Sequence, residues 1–236
     1  MDVSIRNSLI SRQDVGVQID SLLGTTVSHF ELVNSQLNRV TTGFSVTNTT
    51  NASPQIAIVG SQIYGSSDLM LVSNSAVGGN TWVKIADSDF GYTSGNGLSF
   101  SNSAADLQTR MGIDLVRTQI HNITGTAIGL NSTNGCQIQL DVRDSTLSNA
   151  TTLLKTSGSS SPLNVALIRS NLHQATTAID HGQGTIQLDS THINYNVQDL
   201  IDNGGGTIVS NGYNMLYNNI NAPGPTYITP SVIPLK

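Results

Sequence analysis

The sequence of 236 residues is poor in charge. Asp, Glu, Lys and Arg together make up 11% of it, against roughly 25% in an average soluble domain. The formal net charge is −5, so the chain lacks the basic surface of a nucleic-acid-binding protein, and no nucleic-acid partner is expected. Aromatic residues make up only 5%, which predicts a core built from Ile, Leu and Val.

Long apolar runs and cysteines are also scarce. No run approaches the roughly 18 apolar residues of a membrane span, so none is predicted. Cys136 is the only cysteine, which excludes an internal disulfide. Because no base partner is indicated for it, we expect a buried, unreactive thiol.

Ser, Thr, Asn and Gly take the place of the missing charges, and this composition is typical of extracellular proteins. The first residues, Met-Asp-Val-Ser-Ile-Arg, lack the basic and apolar regions of a signal peptide. We therefore expect a piece of a longer secreted or cell-surface protein, with no signal peptide in this chain.

An eight-residue pattern repeats along nearly the whole chain. It consists of apolar, any, apolar, two mostly polar or small residues, Ser or Thr, any, and apolar. The eight copies start at Val3, Phe30, Ile56, Val83, Ile113, Leu140, Val165 and Ile186, and a degenerate ninth copy lies near Ile208. Their Ser/Thr positions, called anchors below, are 21 to 30 residues apart. A second apolar segment follows each anchor, and these segments contain Val17, Phe44, Leu69, Leu98, Ile128, Leu153, Ile179 and Leu200.

The alternation within each copy predicts short strands with one buried face. One coil cannot bury its apolar face alone, so the coils are expected to stack in parallel. Parallel crossovers are right-handed in nearly all proteins. The sequence therefore predicts an all-β, single-stranded right-handed parallel β-helix of about nine coils. Each anchor lies where the alternation changes phase, which favours a corner lined by an internal ladder of Ser and Thr.

Two copies, Ile5-Arg-Asn-Ser-Leu-Ile10 and Val142-Arg-Asp-Ser-Thr-Leu147, resemble a known repeat. The end of the chain, from Asn211-Gly-Tyr-Asn-Met-Leu-Tyr-Asn-Asn219 to Ile233-Pro-Leu-Lys236, is similar to the last coil and tail of secreted members. On these segments the chain resembles the bacterial right-handed parallel β-helix repeat proteins of the pectate-lyase-like superfamily. That superfamily includes lyases, hydrolases, adhesins and phage spikes, so the resemblance implies a fold without choosing an activity.

One outward-facing position of the repeat carries candidate chemistry. It lies between the two apolar positions and is occupied by Ser4, Glu31, Ala57, Lys84, Asp114, Asp141, Ala166 and Gln187. Asp114 and Asp141 are expected to be neighbours in adjacent coils, as a paired-carboxylate catalytic site for polysaccharide. Resemblance to pectate lyases implies a calcium site, for which Asp114, Asp141 and Asp144 beside Arg143 are the match. The alternative is a pair of solvated carboxylates near Lys84, and none of the polygalacturonase motifs occurs.

The position before the anchor alternates in charge through Asp87, Arg117, Asp144 and Arg169. Opposite charges on neighbouring parallel strands attract, so we interpret this row as a structural ladder. His121 and His173 occupy equivalent positions two coils apart. For them, surface turns are favoured over a metal site.

The two ends of the chain differ. Four of the six prolines lie in the last 14 residues, so residues 1–220 are predicted to form the β-helix and residues 221–236 a tail that caps the last coil. No cap precedes Val3, so the N-terminal coil is expected to dock on upstream coils or another subunit.

The leading functional hypothesis is a non-catalytic structural or glycan-binding module with a polysaccharide partner. The alternative is a polysaccharide lyase or glycoside hydrolase with an acidic site on one sheet face. No cofactor other than calcium is expected.

Overall fold

The computed structural model describes residues 2–21, 29–158, 162–203, 206–211, 213–220 and 231–232. Within these ranges the chain forms 24 strands and no helix. Ten strands form the first sheet, in this order: β1 (Asp2–Arg6), β4 (His29–Val33), β7 (Gln55–Val59), β10 (Thr81–Ala86), β13 (Arg110–Val116), β15 (Gln137–Arg143), β17 (Leu163–Ile168), β19 (Thr185–Asp189), β22 (Thr207–Ser210) and β24 (Ser231–Val232).

The other 14 strands form a second sheet that bends to make two faces. Its short face contains β2 (Leu9–Ser11), β5 (Gln36–Asn38), β8 (Gln62–Tyr64), β11 (Asp89–Thr93), β20 (His192–Asn194) and β23 (Met215–Tyr217). Its long face contains β3 (Val15–Ser21), β6 (Thr42–Asn48), β9 (Asp68–Asn74), β12 (Leu98–Asn102) and β21 (Gln198–Asp202). Three long strands run through both faces: β14 (Gln119–Ser132), β16 (Thr146–Gly158) and β18 (Asn171–His181).

All described strand pairings are parallel and join one coil to the next. The chain is therefore a parallel β-solenoid, as predicted. The nine first-sheet strands from β1 to β22 bound eight complete turns. The right-handed sense of the winding stays a prediction.

The predicted register is confirmed, because equivalent repeat positions pair directly. Ile58 pairs with Ile85, and Ile85 with Leu115, and all three side chains are fully buried. The core is a column of aliphatic side chains along the solenoid axis, joined by a few rings such as Phe44 and Phe90. Burial of such side chains contributes roughly 1.5–3 kcal/mol each, so this column dominates the stability of the fold.

Two corners of each coil have left-handed backbone. At the first corner, the residue before each anchor has φ between 47° and 59°; these residues are Asn7, Asn34, Gly60, Asp87, Arg117, Asp144, Arg169 and Ser190. At the second corner, φ lies between 51° and 67° at Arg12, Arg39, Gly65, Tyr92, Asn122, Asn149, Gln174, Tyr195 and Asn218. Asn, Asp and Gly tolerate this conformation best, which explains why these residue types are common at the first corner.

The internal Ser/Thr ladder is also confirmed. Ser61 is 1% exposed, and its hydroxyl donates to the carbonyl oxygens of Val59 (3.0 Å) and Leu32 (3.3 Å). The same oxygen accepts a hydrogen bond from the Ser35 amide of the preceding coil at 3.1 Å. Asn214 takes the anchor position of the degenerate ninth copy, where its Oδ1 accepts from the Thr191 amide at 2.8 Å. Each anchor thus ties its own corner to that of a neighbouring coil.

A second polar stack, which the sequence analysis did not anticipate, closes the end of the long face. Asn48, Asn74, Asn102 and Ser132 pair in register and are all buried. The side-chain amide of Asn74 donates to the Gly79 carbonyl at 2.8 Å, within the turn that follows. The side-chain amides of this stack donate hydrogen bonds to backbone carbonyl oxygens in the turns where the chain leaves the long face, so those carbonyls are not left unpaired.

The predicted C-terminal cap lies mostly outside the described residues. The part that is described, β24, pairs with β22 through Val209–Ser231 and Ser210–Val232. This places one segment of the tail next to the last coil, and capping by residues 221–236 as a whole stays a prediction.

The anchor ladder predicts that Ser61→Ala destabilises the solenoid. The substitution leaves the Ser35 amide without its partner, and we expect a loss of about 1–3 kcal/mol in the free energy of unfolding. Denaturant unfolding followed by circular dichroism measures this loss. Ser61→Thr is the matched control, because Thr118 and Thr191 occupy the anchor position in other coils, where each hydroxyl donates to the carbonyl two residues earlier as Ser61 does. Equal losses in both variants would contradict the assignment.

Candidate functional site

The outward row of the first sheet is arranged as predicted. Lys84, Asp114 and Asp141 pair in consecutive strands, so Asp114 and Asp141 are direct neighbours. Parallel strands lie about 4.8 Å apart. The structure therefore brings the two predicted catalytic carboxylates together, while their catalytic role stays a prediction.

Arg143 binds between these two carboxylates. Its Nη2 atom lies 2.9 Å from Asp141 Oδ2 and 3.9 Å from Asp114 Oδ1. Asp114 Oδ1 is buried and accepts no hydrogen bond within the described ranges. One guanidinium thus faces two carboxylates, and the arrangement is an ion-pair cluster at the edge of an open groove.

Asp144, the third predicted calcium ligand, is held elsewhere. It lies at the first corner, where its two carboxylate oxygens accept from Arg169 Nε (2.7 Å) and Nη2 (2.9 Å). Across the described part of the chain, no group of three or more His, Cys, Asp or Glu side chains is placed to hold a metal ion. Calcium binding by Asp114, Asp141 and Asp144 stays a prediction.

The alternating charges of the first corner form the expected ladder. Arg117 binds Asp87 with two hydrogen bonds, of 2.6 and 2.9 Å, just as Arg169 binds Asp144. The bound guanidinium lowers the pKa of both the Asp87 and the Asp144 carboxyl below its ordinary value. These four charged groups therefore neutralise one another on the surface.

The sequence analysis did not single out Trp82, which lies on the same face. Trp82 starts the outward row of β10 and pairs with Gly112 on one side and Gln55 on the other. A Cβ atom at Gly112 would lie 2.2 Å from Cε3 and Cζ3 of Trp82, so this edge of the indole ring occupies the space that a side chain at Gly112 would need. Trp82 is nevertheless 46% exposed.

The indole ring forms part of a groove of about 350 Å³ that crosses the middle strands of the first sheet. The groove is lined by His29, Gln55, Ile56, Ala57, Trp82, Val83, Lys84, Gly112, Ile113, Asp114, Gln139, Asp141 and Arg143. It combines one aromatic face with amide, ammonium, guanidinium and carboxylate groups. The signal in the sequence was the single tryptophan at an outward strand position, with a glycine in register one coil later.

A second cluster, on the short face, surrounds Asp89. The hydroxyl of Tyr64 donates to Asp89 Oδ2, and His121 Nε2 lies 2.9 Å from Asp89 Oδ1. Burial and the adjacent carboxylate raise the pKa of the Tyr64 hydroxyl. The ring of Tyr92 packs edge-on against His121, with centroids 5.2 Å apart, and against Tyr64 at 5.8 Å.

The predictions for His121, His173 and Cys136 are confirmed in part. His121 and His173 pair with Ser148 from opposite sides, as expected, but both lie within strands and not in turns. Cys136 is fully buried and its thiol lies 2.7 Å from the Ala104 carbonyl oxygen. Burial raises the pKa of the Cys136 thiol, which agrees with an unreactive role.

Comparison with known proteins leaves the fold and the site as the basis for function. No protein-family model matches the chain, and no curated protein or solved structure is significantly similar to it. The described ranges contain no helix long and apolar enough to cross a membrane.

The contact between Trp82 and Gly112 predicts the effect of Gly112→Ala. The new methyl group cannot fit beneath the indole ring, so the ring moves away from the sheet and becomes more exposed to water. Because Trp82 is the only tryptophan, a red-shifted emission maximum and stronger quenching by iodide measure this movement directly. Gly129→Ala is the control, since a Cβ there meets nothing closer than 3.8 Å; it should leave the emission unchanged. An unaltered spectrum in Gly112→Ala would contradict the stacked geometry.

Proposed function

We propose that this chain is a non-catalytic, secreted or cell-surface β-helix module that binds polysaccharide in the groove on the first sheet. The observation that carries the proposal is the half-exposed indole ring of Trp82, whose Cε3–Cζ3 edge packs against the Gly112 backbone. A large aromatic ring loses water favourably when a ligand covers it.

The chemistry around Trp82 suits a sugar. A pyranose ring has one face of C–H groups, which packs on an aromatic ring, and a rim of hydroxyl groups, which need donors and acceptors. Gln55, Gln139 and Lys84 offer donors, and Asp114 and Asp141 offer acceptors, within the same groove. Binding sites of this kind combine an apolar surface with a few polar groups that fix orientation.

The dimensions of the groove favour a chain of sugars over a single ring. Its lining residues come from five consecutive strands, β4 to β15. At about 4.8 Å per strand, this is on the order of 20 Å along the solenoid. The rigid ladder keeps these groups at fixed spacing, so little conformational entropy is lost when an extended ligand binds.

The proposal includes membership of the pectate-lyase-like superfamily and a location outside the cell. Both are supported by the repeat pattern and by a composition low in charge and rich in Ser, Thr and Asn. The N-terminal coil, with β1 and β2 at the sheet edges, is proposed to dock on further coils or another subunit, because edge strands present unpaired backbone groups.

A polysaccharide lyase or glycoside hydrolase is the second candidate. The observation in its favour is that Asp114 and Asp141 are direct neighbours in a groove that also contains Trp82. The contact of Arg143 with both carboxylates is more typical of a structural ion-pair cluster than of an acid–base pair, and therefore the binding module is favoured.

Trp82→Ala should weaken glycan binding by at least about tenfold, because an aromatic anchor at the centre of a site carries much of the affinity. The probes are neutral hexasaccharides of glucose, xylose and mannose. Wild-type binding is followed by fluorescence of the single tryptophan, and the variant by titration calorimetry.

The matched control for Trp82→Ala is Tyr213→Ala. Tyr213 is 80% exposed near the last coil, and its loss should leave the affinity unchanged. Hexasaccharides that bind both variants and the wild type equally would contradict a site at Trp82.

Asp114→Ala separates the two candidate functions. For a binding module, neither the wild type nor the variant releases reducing ends or unsaturated products from a panel of plant and bacterial polysaccharides. Turnover by the wild type that disappears in Asp114→Ala, with unchanged circular dichroism, would instead establish the enzyme.

A further inference from the structure

The second corner carries two neighbouring arginines, Arg12 and Arg39, one coil apart. Both have left-handed backbone, and the Arg12 amide donates to the Arg39 carbonyl at 3.2 Å. Both side chains belong to exposed residues. Two like charges at equivalent corner positions of adjacent coils repel each other, so this placement lowers the stability of the free protein.

These two arginines differ from most other basic residues of the chain. Arg6, Arg117, Arg143, Lys155 and Arg169 all lie within 3.0 Å of a carboxylate oxygen. For Arg12 and Arg39, no carboxylate of the described residues lies within ion-pairing distance. At the first corner of later coils, by contrast, the charged residues Asp87, Arg117, Asp144 and Arg169 form ion pairs of opposite charge. The second corner therefore keeps two positive charges available for a partner outside the chain.

A hollow of about 390 Å³ lies beside Arg39. Hydroxyl groups of Thr41, Ser66, Ser67 and Ser94 surround it, and Tyr92 forms part of its wall. Ser66 is 4% exposed, and its hydroxyl oxygen has no hydrogen-bond partner among the residues described. The other three hydroxyl-bearing residues, Thr41, Ser67 and Ser94, are exposed and can meet a ligand in the hollow.

Tyr92 provides an exposed ring that is already held in place. The residue is 62% exposed, yet its ring packs edge-on against both His121 and Tyr64. Asp89 in turn binds both of those side chains. An exposed aromatic ring with supported edges can receive a ligand without first losing its own rotational freedom.

We propose that this corner is a second binding site, which takes a saccharide carrying a sulfate or phosphate group. The tetrahedral oxyanion accepts hydrogen bonds from Arg12 and Arg39, the sugar ring lies on Tyr92, and sugar hydroxyls meet Thr41, Ser67 and Ser94. The oxygens of a sulfate or phosphate group point in several directions, so two guanidinium groups can bind it from different sides. The site lies at the second corner, away from the first-sheet groove, and so does not depend on the function proposed for Trp82.

The test is titration calorimetry of the whole chain with a sulfated hexasaccharide prepared from heparin, its desulfated counterpart, and glucose 6-phosphate. The desulfated sugar keeps its carboxylates, so it separates the tetrahedral oxyanion from simple negative charge. Binding of the sulfated sugar or the phosphate ester, with little binding of the desulfated sugar, is expected, and the stronger of the two identifies the oxyanion. Equal binding of sulfated and desulfated sugar, or no binding of either anion, overturns the proposal.

The variants locate the site. Arg39→Gln should weaken binding by about tenfold or more, since a charge-assisted hydrogen bond is lost, and Arg12→Gln and Tyr92→Ala should also weaken it. Arg110→Gln is the matched control, because Arg110 is exposed, lies on β13 and has no described carboxylate within ion-pairing distance; it should leave affinity unchanged. An equal loss in Arg110→Gln shows non-specific attraction and overturns the site. Trp82→Ala should retain full affinity here, so failure at one site is distinguishable from failure at the other.

Discussion

The structure depends on one constraint: aliphatic side chains at equivalent repeat positions must meet in the same column. A single coil buries almost nothing by itself, so each coil is stable only between its neighbours. A slip of one residue would turn every Ile and Leu of a strand toward water. The same requirement fixes which polar residues face outward. The outward positions that form the proposed sites therefore follow from the packing of the core.

The strands, their register and the anchor ladder could be predicted from the sequence, because alternation and a repeated hydroxyl are local signals. The adjacency of Asp114 and Asp141 followed from the same register. The left-handed corners are predictable in part, because Asn7, Asn34 and Gly60 are residue types that favour this conformation. Arginine and glutamine occupy equivalent positions in other coils, so the residue type does not mark every corner. There the hydrogen bonds of the stacked backbone override a local conformational preference.

The Trp82 groove was not predictable in the same way. Trp82 and Gly112 lie one residue before the repeat pattern begins in their coils, so the pattern does not mark them. Their contact also depends on how the indole ring is rotated, which no spacing encodes. The aromatic cluster around Asp89 has the same origin, since Tyr64 and His121 approach each other across Gly91 on the coil between them. A site that forms where a small residue makes room for a large side chain of a neighbouring coil can be recognised only in the three-dimensional structure.

The two left-handed residues of each coil are five positions apart, from Asn7 and Arg12 in the first coil to Tyr213 and Asn218 in the last. All variation in coil length therefore falls after the second corner, in the long face and the turn that follows it. Insertions in that turn can lengthen a coil without moving the first sheet or the short face. The solenoid thus separates a part of the chain that is free to diverge from a part whose geometry is invariant, and the first-sheet groove lies in the invariant part.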